Sequence, residues 1–139
     1  MKPDPEHTER MDILTHEECL ALITTVPIGR IVFTEHALPA IRPVCFAFDG
    51  HNIYIQTSRD SQLATATHNT IVAFEVDDYD THNKTGWSIT ILGRAQHLCD
   101  PDEIAASGLQ PTWAPGRRDH HIRIHAELLT GRRIPTTEQ

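Results

Sequence analysis

Six stretches of this chain read as β-strands, by β-rich composition or by alternation of apolar and polar side chains, and turn-forming residues separate them. Successive side chains of a strand point to opposite faces, so period two, where it appears, marks a half-buried β-strand. The runs cover residues 28–34, 39–48, 52–57, 71–76, 86–99 and 122–126, the last leading into 128–134. In the longest, Trp87, Ile89, Ile91 and Gly93 share one face, with Ser88, Thr90 and Leu92 on the other. Asp49-Gly50 stands between the second and third runs, where glycine accepts the positive φ of a tight hairpin, so these two strands are expected to pair antiparallel.

Helical spacing appears only in short segments. Thr15-x-x-Glu18 has the spacing of a capping box, with Ile13 before it as a staple, and Cys19, Leu22, Ile23 and Val26 follow at helical intervals until Pro27 and Gly29 stop the helix. A second short helix is expected over 61–68 with Ser61 as its cap, and a third from Pro101 to about Ser107 behind Asp100. The acidic segment 77–80, with 81–85, reads as a solvated loop. Residues 1–12 are polar and carry two prolines, which predicts a flexible tail ahead of a single domain over 13–139. The expected fold is mostly β: a six-stranded antiparallel barrel with short flanking helices. A doubly wound sheet would need longer helices between most strands, and a sandwich would not need a helix over 61–68.

The chain has 139 residues, enough for one core without staples, and a formal net charge of −7. Such an acidic balance argues against nucleic acid, whose binding rests on clustered cations. From Ala114 onward, however, arginines 117, 118, 123, 132 and 133 outnumber the acids, which leaves room for a local anion site there. Three cysteines without a CxxC pair argue against a disulfide framework and for a reducing compartment. No apolar run approaches the roughly 18 residues of a membrane span, and the first residues lack a signal peptide's apolar stretch. The expected setting is cytoplasmic, with no membrane or nucleic-acid partner.

Three segments carry more than packing. Pro39 and Pro43 lie in a β run, where proline removes a ladder hydrogen bond; such a strand is an edge, and its loose backbone groups can also meet a planar ligand. Thr57-Ser58-Arg59-Asp60-Ser61-Gln62-Leu63 passes from a strand end through hydroxyl residues into a helix start, either a solvated cap or a phosphate cradle. Gly86-Trp87-Ser88 puts an indole beside a polar loop, either for packing or for stacking on a ring. The histidine pairs, His120-His121 with His125 and His97-x-Cys99, do not make a metal site, because strand spacing brings at most two ligands together and no HExxH or paired Cys/His spacing is present. Each cysteine reads as a small core residue.

In order and spacing these pieces resemble the pyridoxamine 5′-phosphate oxidase-like family, the flavin-binding split β-barrels. The resemblance runs from about Thr15 to Ile134 and rests on Ile28-Gly-Arg-Ile, Pro39-x-x-x-Pro43-Val44, Asp49-Gly50-x-x-Ile53-Tyr54, Thr57-x-x-x-Ser61-x-Leu63, residues 72–77, Gly86-Trp87-Ser88, Gly93-x-Ala95, Trp113 and Thr130-Gly-Arg132. It implies a homodimer with FMN at the subunit interface, acting as an oxidoreductase on a small-molecule redox substrate. Arg42, Pro43 and Val44 would lie along the flavin ring. Thr57, Ser58 and Ser61 would hold the phosphate, with Arg59 beside them and Gln62 and Leu63 opening the helix over it. Trp87 and Ser88 would approach from the long strand, and Trp113 and Arg123 would reach the partner's site. Relatives usually carry a basic residue at the position of Gln56 and a lysine at that of Gln62. Both are neutral here, which keeps open a non-catalytic module for flavin, haem or another planar ligand, and an F420-dependent reductase.

Overall fold

The computed structural model describes residues 12–109 and 119–134. Seven strands and three short helices follow one another as α1 (His16–Ile23), β1 (Ile28–Glu35), β2 (Leu38–Phe48), β3 (Asn52–Thr57), α2 (Gln62–Thr67), β4 (Thr70–Asp80), β5 (Thr85–His97), α3 (Pro101–Ala106), β6 (His120–His125) and β7 (Leu128–Ile134). All pairings are antiparallel. The order β1-β2-β3-β6-β5-β4 closes on itself through β4 and β1, giving a six-stranded barrel to which β7 adds an extra strand on β5. The expected mostly-β barrel is therefore what forms. Trp113 and nearly all of the expected tail, residues 1–11, lie outside the described residues.

The inward side chains of the period-two runs make the core. Ile31, Phe74, Ile89, Ile91, Ile122 and Ile124 are completely buried. Each such side chain stabilises by roughly 1.5–3 kcal/mol on leaving water, so this layer rather than local propensity holds the barrel. Turn chemistry fixes the register. At the β2–β3 hairpin, Asp49 Oδ1 accepts from the amides of His51 and Asn52 at 2.8 and 2.7 Å, and Gly50 takes φ +98°.

Two expectations are corrected. The acidic segment 77–80 continues β4, because each of its residues pairs with β5, from Asp77 opposite Ser88 to Asp80 opposite Thr85. The turn is shorter, and Asp80 closes it by accepting from the amides of His82 and Asn83. The last run divides into β6, starting at His120, and β7, because a bulge around His125–Glu127 shifts the register against β5: Ala95 faces Ile124, but Leu92 faces Leu128. Gly93 makes this possible. A Cβ there would fall 1.6 Å from the carbonyl oxygen of His125.

Closure is uneven, and this unevenness positions the site. β1 meets β4 over only three residue pairs, 30–32 against 73–75. β2 meets β3 only from Phe46 onward, so its segment 38–45 has β1 on one side and no strand on the other among the described residues. This is the proline-bearing edge expected at Pro39 and Pro43. A split opens there, between β2 and the turn that follows β3.

Candidate functional site

The turn at the mouth of the split is built from hydroxyls. Ser61 caps α2, accepting from the amide of Ala64 at 3.0 Å, while the buried Thr57 hydroxyl donates to Ser61 Oγ at 3.2 Å. The amide of Ser61 donates to the Ser58 carbonyl at 3.1 Å, and that of Asp60 to Ser58 Oγ at 3.4 Å. Thr57 thus braces the turn from beneath, and the hydroxyls of Ser58 and Ser61 form its polar surface. Leu63 points away into the core.

Two arginines flank this turn. On the side of the split, Arg42 shares the face of its pairing partner Ile31; its guanidinium lies over the Phe33 ring, 6.0 Å from the centroid, and Nη2 donates to Gln62 Oε1 at 3.2 Å. It bridges β2 to α2 across the gap. On the other side the Arg59 amide donates to Asp119 Oδ1 at 3.4 Å, and its side chain lines a cavity. Hydroxyls with a guanidinium on either side suit a phosphate ester, since charge-assisted hydrogen bonds are roughly twice as strong as neutral ones. Val44 pairs with Gly29 on the same face as Arg42, whereas Pro43 pairs with Arg30 and faces outward.

The remaining expected site residues lie elsewhere in the chain. Trp87 and Ser88 sit near the start of β5, and ten residues of extended chain separate Trp87 from His97, roughly 33 Å. His97 is the end of β5 that approaches the Thr57 turn, so within one chain Trp87 and Ser88 lie away from that turn. Ser88 Oγ donates to Glu75 Oε2 at 3.1 Å. Glu75 also takes a hydrogen bond from Arg30, and its carboxyl is pushed above the usual range by burial and by the neighbouring Asp77. Arg123 forms an ion pair with Glu103 at 2.7 Å and donates to Gln96 at 3.2 Å, which ties α3 to the barrel.

An apolar row crosses the outside of the barrel. Ile41, Val32, Ala73, Leu92 and Leu128 stand directly opposite one another on five successive strands. Ile41, Leu92 and Leu128 are 59%, 39% and 53% exposed.

The cavity beside Arg59 was not foreseen as a site. It measures about 570 Å³, and Thr65, His97, Cys99, His120 and His121 line it. His97 packs against His68 at a tilt and against His120 edge to face, each ring centroid 4.1 Å away. Because His97 Nε2 lies 3.1 Å from the Ala64 carbonyl, which can only accept, that nitrogen carries the proton. His120 Nε2 is buried and has no partner among the described residues. Burial, with His97 and Arg59 nearby, pushes His120 below the ordinary histidine pKa, and burial does the same to His121. The sequence shows these histidines but not the register that gathers them, with His97 opposite Ile122 and His120 opposite Thr57. Among the described residues no group of three or more His, Cys, Asp or Glu side chains could hold a metal ion.

Residues 15–133 match the family described as pyridoxamine 5′-phosphate oxidase. The chain belongs to that family. Among its relatives, the uncharacterized protein Rv0080 of Mycobacterium tuberculosis is 32% identical over 139 residues, spanning 96% of this chain and 91% of the relative. The FAD binding protein of Mycobacterium smegmatis is 32% identical, with a TM-score of 0.76 over 87% of this chain and 96% of that one. A conserved protein of unknown function, DIP1874 of Corynebacterium diphtheriae, is 27% identical, with a TM-score of 0.69 over 87% and 94%. The barrel is the flavin-binding split barrel of this family. No helix among the described residues is long and apolar enough to cross a membrane.

Proposed function

We propose that this chain is a flavin-dependent oxidoreductase that works as a homodimer and holds FMN, alone or as the FMN half of a larger flavin, in the split beside β2. The observation that carries this reading is the juxtaposition of an unpaired β2 edge with a hydroxyl-lined turn across which Arg42 reaches to Gln62 at 3.2 Å. The edge offers backbone groups and the flat side of Val44 to a ring. Ser58, Ser61 and the flanking arginines offer donors to its phosphate. Arg42 and Arg59 supply the positive charge that the neutral Gln56 and Gln62 do not. Similarity to the FAD binding protein of M. smegmatis supports the same class of ligand.

The flavin, when bound, supplies the redox chemistry, accepting a hydride from one substrate and passing electrons to another. This chain's residues bind and orient it. Arg42, held over Phe33, keeps a positive charge at the edge of the ring site, and the core face of β2 excludes water from one side. A second copy would cover the apolar row and bring its own Trp87 and Ser88 toward the site.

The visible spectrum of the protein as purified, followed by titration with FMN and a solution mass, tests the proposal. Flavin bands, or saturable uptake of FMN by a colourless dimer, support it. A colourless protein that leaves FMN free overturns it, and a monomer that holds flavin tightly overturns the shared site. The neutral glutamines favour one other reading, a non-catalytic module for haem or another planar ligand; a Soret band would point there.

A further inference from the structure

We infer that the imidazoles of His68, His97 and His120 form an acid-operated latch: neutral, they hold α2 against the ends of β5 and β6, and protonated, they release it. Each ring comes from a different element. His68 caps the C-terminus of α2, His97 ends β5, and His120 starts β6. His97 lies against both neighbours, each ring centroid 4.1 Å away, and its Nε2 hydrogen reaches the Ala64 carbonyl of α2 at 3.1 Å. With six residues α2 is too short to be stable in water by itself, so it depends on the buried Leu63, Ala64 and Thr67 beneath it and on these rings at its end.

The charges around the rings decide the response to protons. Arg59 enters from the turn before α2 and lines the cavity with His97, Cys99, His120 and His121. Arg94 of β5 donates to the carbonyl of Asn69, next to His68, at 2.9 Å. Against these two cations stands Asp119, which lines the same cavity. From α3 only Ile104 lines it, and the carboxylate of Glu103 is held by Arg123. The fixed charge is therefore positive before any imidazole titrates. A first proton meets neutral rings, but a second puts like charges on rings whose centroids are 4.1 Å apart, and like charges that close disfavour ionisation. The Nε2 of His120 is buried with no partner among the described residues, so its imidazolium would carry an N–H there with no acceptor. Burial holds His120 and His121 below the ordinary histidine pKa of 6.5, so the native state takes up these protons only in acid, below that pH. Release of α2 reaches the candidate site. Ser61 caps the helix through the amide of Ala64 at 3.0 Å, and its carbonyl accepts from the amide of Thr65 at 3.2 Å, so both bonds of the hydroxyl-lined turn part with the helix.

Hydrogen exchange of the full-length protein, followed by NMR, tests the latch. At pH 7.5 the amides of Ala64 and Thr65 and those of β1 are expected to be protected. At pH 5.0 the two α2 amides are expected to exchange within about tenfold of the free-chain rate while β1 stays protected at least about a hundredfold. The midpoint of that loss should coincide with the titration of a ring C–H signal of His68, His97 or His120 in the same sample. His97→Gln keeps an N–H for the Ala64 carbonyl and takes up no proton in this range; it is expected to hold at pH 5.0 the protection that the wild type loses. Equal protection of Ala64 and Thr65 at both pH values, loss of α2 and β1 together, or a midpoint more than about one pH unit from all three rings would each overturn the latch. So would a His97→Gln protein that protects α2 at pH 7.5 and loses it at pH 5.0 as the wild type does. If that variant is loose at both pH values, the wild-type midpoint decides.

Discussion

Replacing Gly93 by alanine tests the bend that turns one continuous sequence run into β6 and β7. The added Cβ would lie 1.6 Å from the carbonyl oxygen of His125 and 2.8 Å from its carbonyl carbon. Both are backbone atoms, so no side-chain rotation relieves the clash, and β5 must separate from the bulge by well over an ångström. The amide of Glu127 donates here to the carbonyls of both Leu92, at 3.1 Å, and His125, at 3.0 Å, and a retreat on that scale breaks the cross-strand contact and weakens its neighbours. Each net hydrogen bond is worth about 1 kcal/mol, and a buried group left unpaired costs about 1–3 kcal/mol more, so the expected loss is about 3 kcal/mol or greater. For 139 residues the unfolding entropy near the melting temperature is about 0.3 kcal/mol/K, which converts that loss into a fall of about 10 °C in Tm. Gly50→Ala is the control. Nothing lies within 4 Å of its Cβ, and only the positive φ of +98° opposes it, at a cost of about 1 kcal/mol, or about 3 °C. Thermal melting followed by circular dichroism measures both. A Gly93→Ala protein that melts within about 2 °C of the wild type would refute the reasoning, because the bulge would then not depend on the missing side chain.

Other substitutions probe the charged groups. Arg30 hydrogen-bonds Glu75 and Asp77 at 2.9 and 3.1 Å; Arg30→Ala is expected to cost about 1 kcal/mol at pH 7 and less at pH 4, where Glu75, its carboxyl raised by burial, takes up a proton, as read from urea midpoints at the two pH values. Glu75 has a carboxyl raised above its ordinary value by burial and by Asp77, so the native state holds its proton more tightly and this group's contribution to stability falls as pH rises above about 4.5; Glu75→Gln should remove that slope. His120 and His121 shift the other way, both lowered by burial, so the unfolded chain binds more protons below pH 6.5. Stability is expected to fall as pH drops through that value, and to fall less in His120→Gln, in the same urea assay. Thr15 forms a reciprocal cap with Glu18, at 2.9 and 3.1 Å; Thr15→Ala should lower stability by about 1 kcal/mol.

The barrel was legible because period two survives burial. Ile89 and Ile91 are core residues on the face that alternation assigns them, and Asp49-Gly50 closes the hairpin it announces. The miss at 77–80 has a definite cause. These acids look like loop composition, yet cross-strand pairing with residues 85–88 satisfies their backbone, and Arg30 offsets part of their charge. Solvent-facing strand positions tolerate charge, so composition alone misleads there. The hydroxyl-lined turn over 57–61 and its capped helix were also legible, since a hydroxyl-rich strand end running into a helix start is a local feature. The cavity was not, because His97 and His120 are 23 positions apart and only the pairing of β5 with β6 and of β6 with β3 brings their rings to 4.1 Å. The distance of Trp87 from the turn was equally hidden, being a property of a strand's length.

The most direct measurement is the position of FMN in crystals of the protein soaked with it. The account predicts density for the ring along β2 beside Arg42 and Val44, with its phosphate against Ser58 and Ser61 and the Arg42–Gln62 contact displaced or shared. Density elsewhere, or a split that stays closed by Arg42 at saturating FMN, would contradict it.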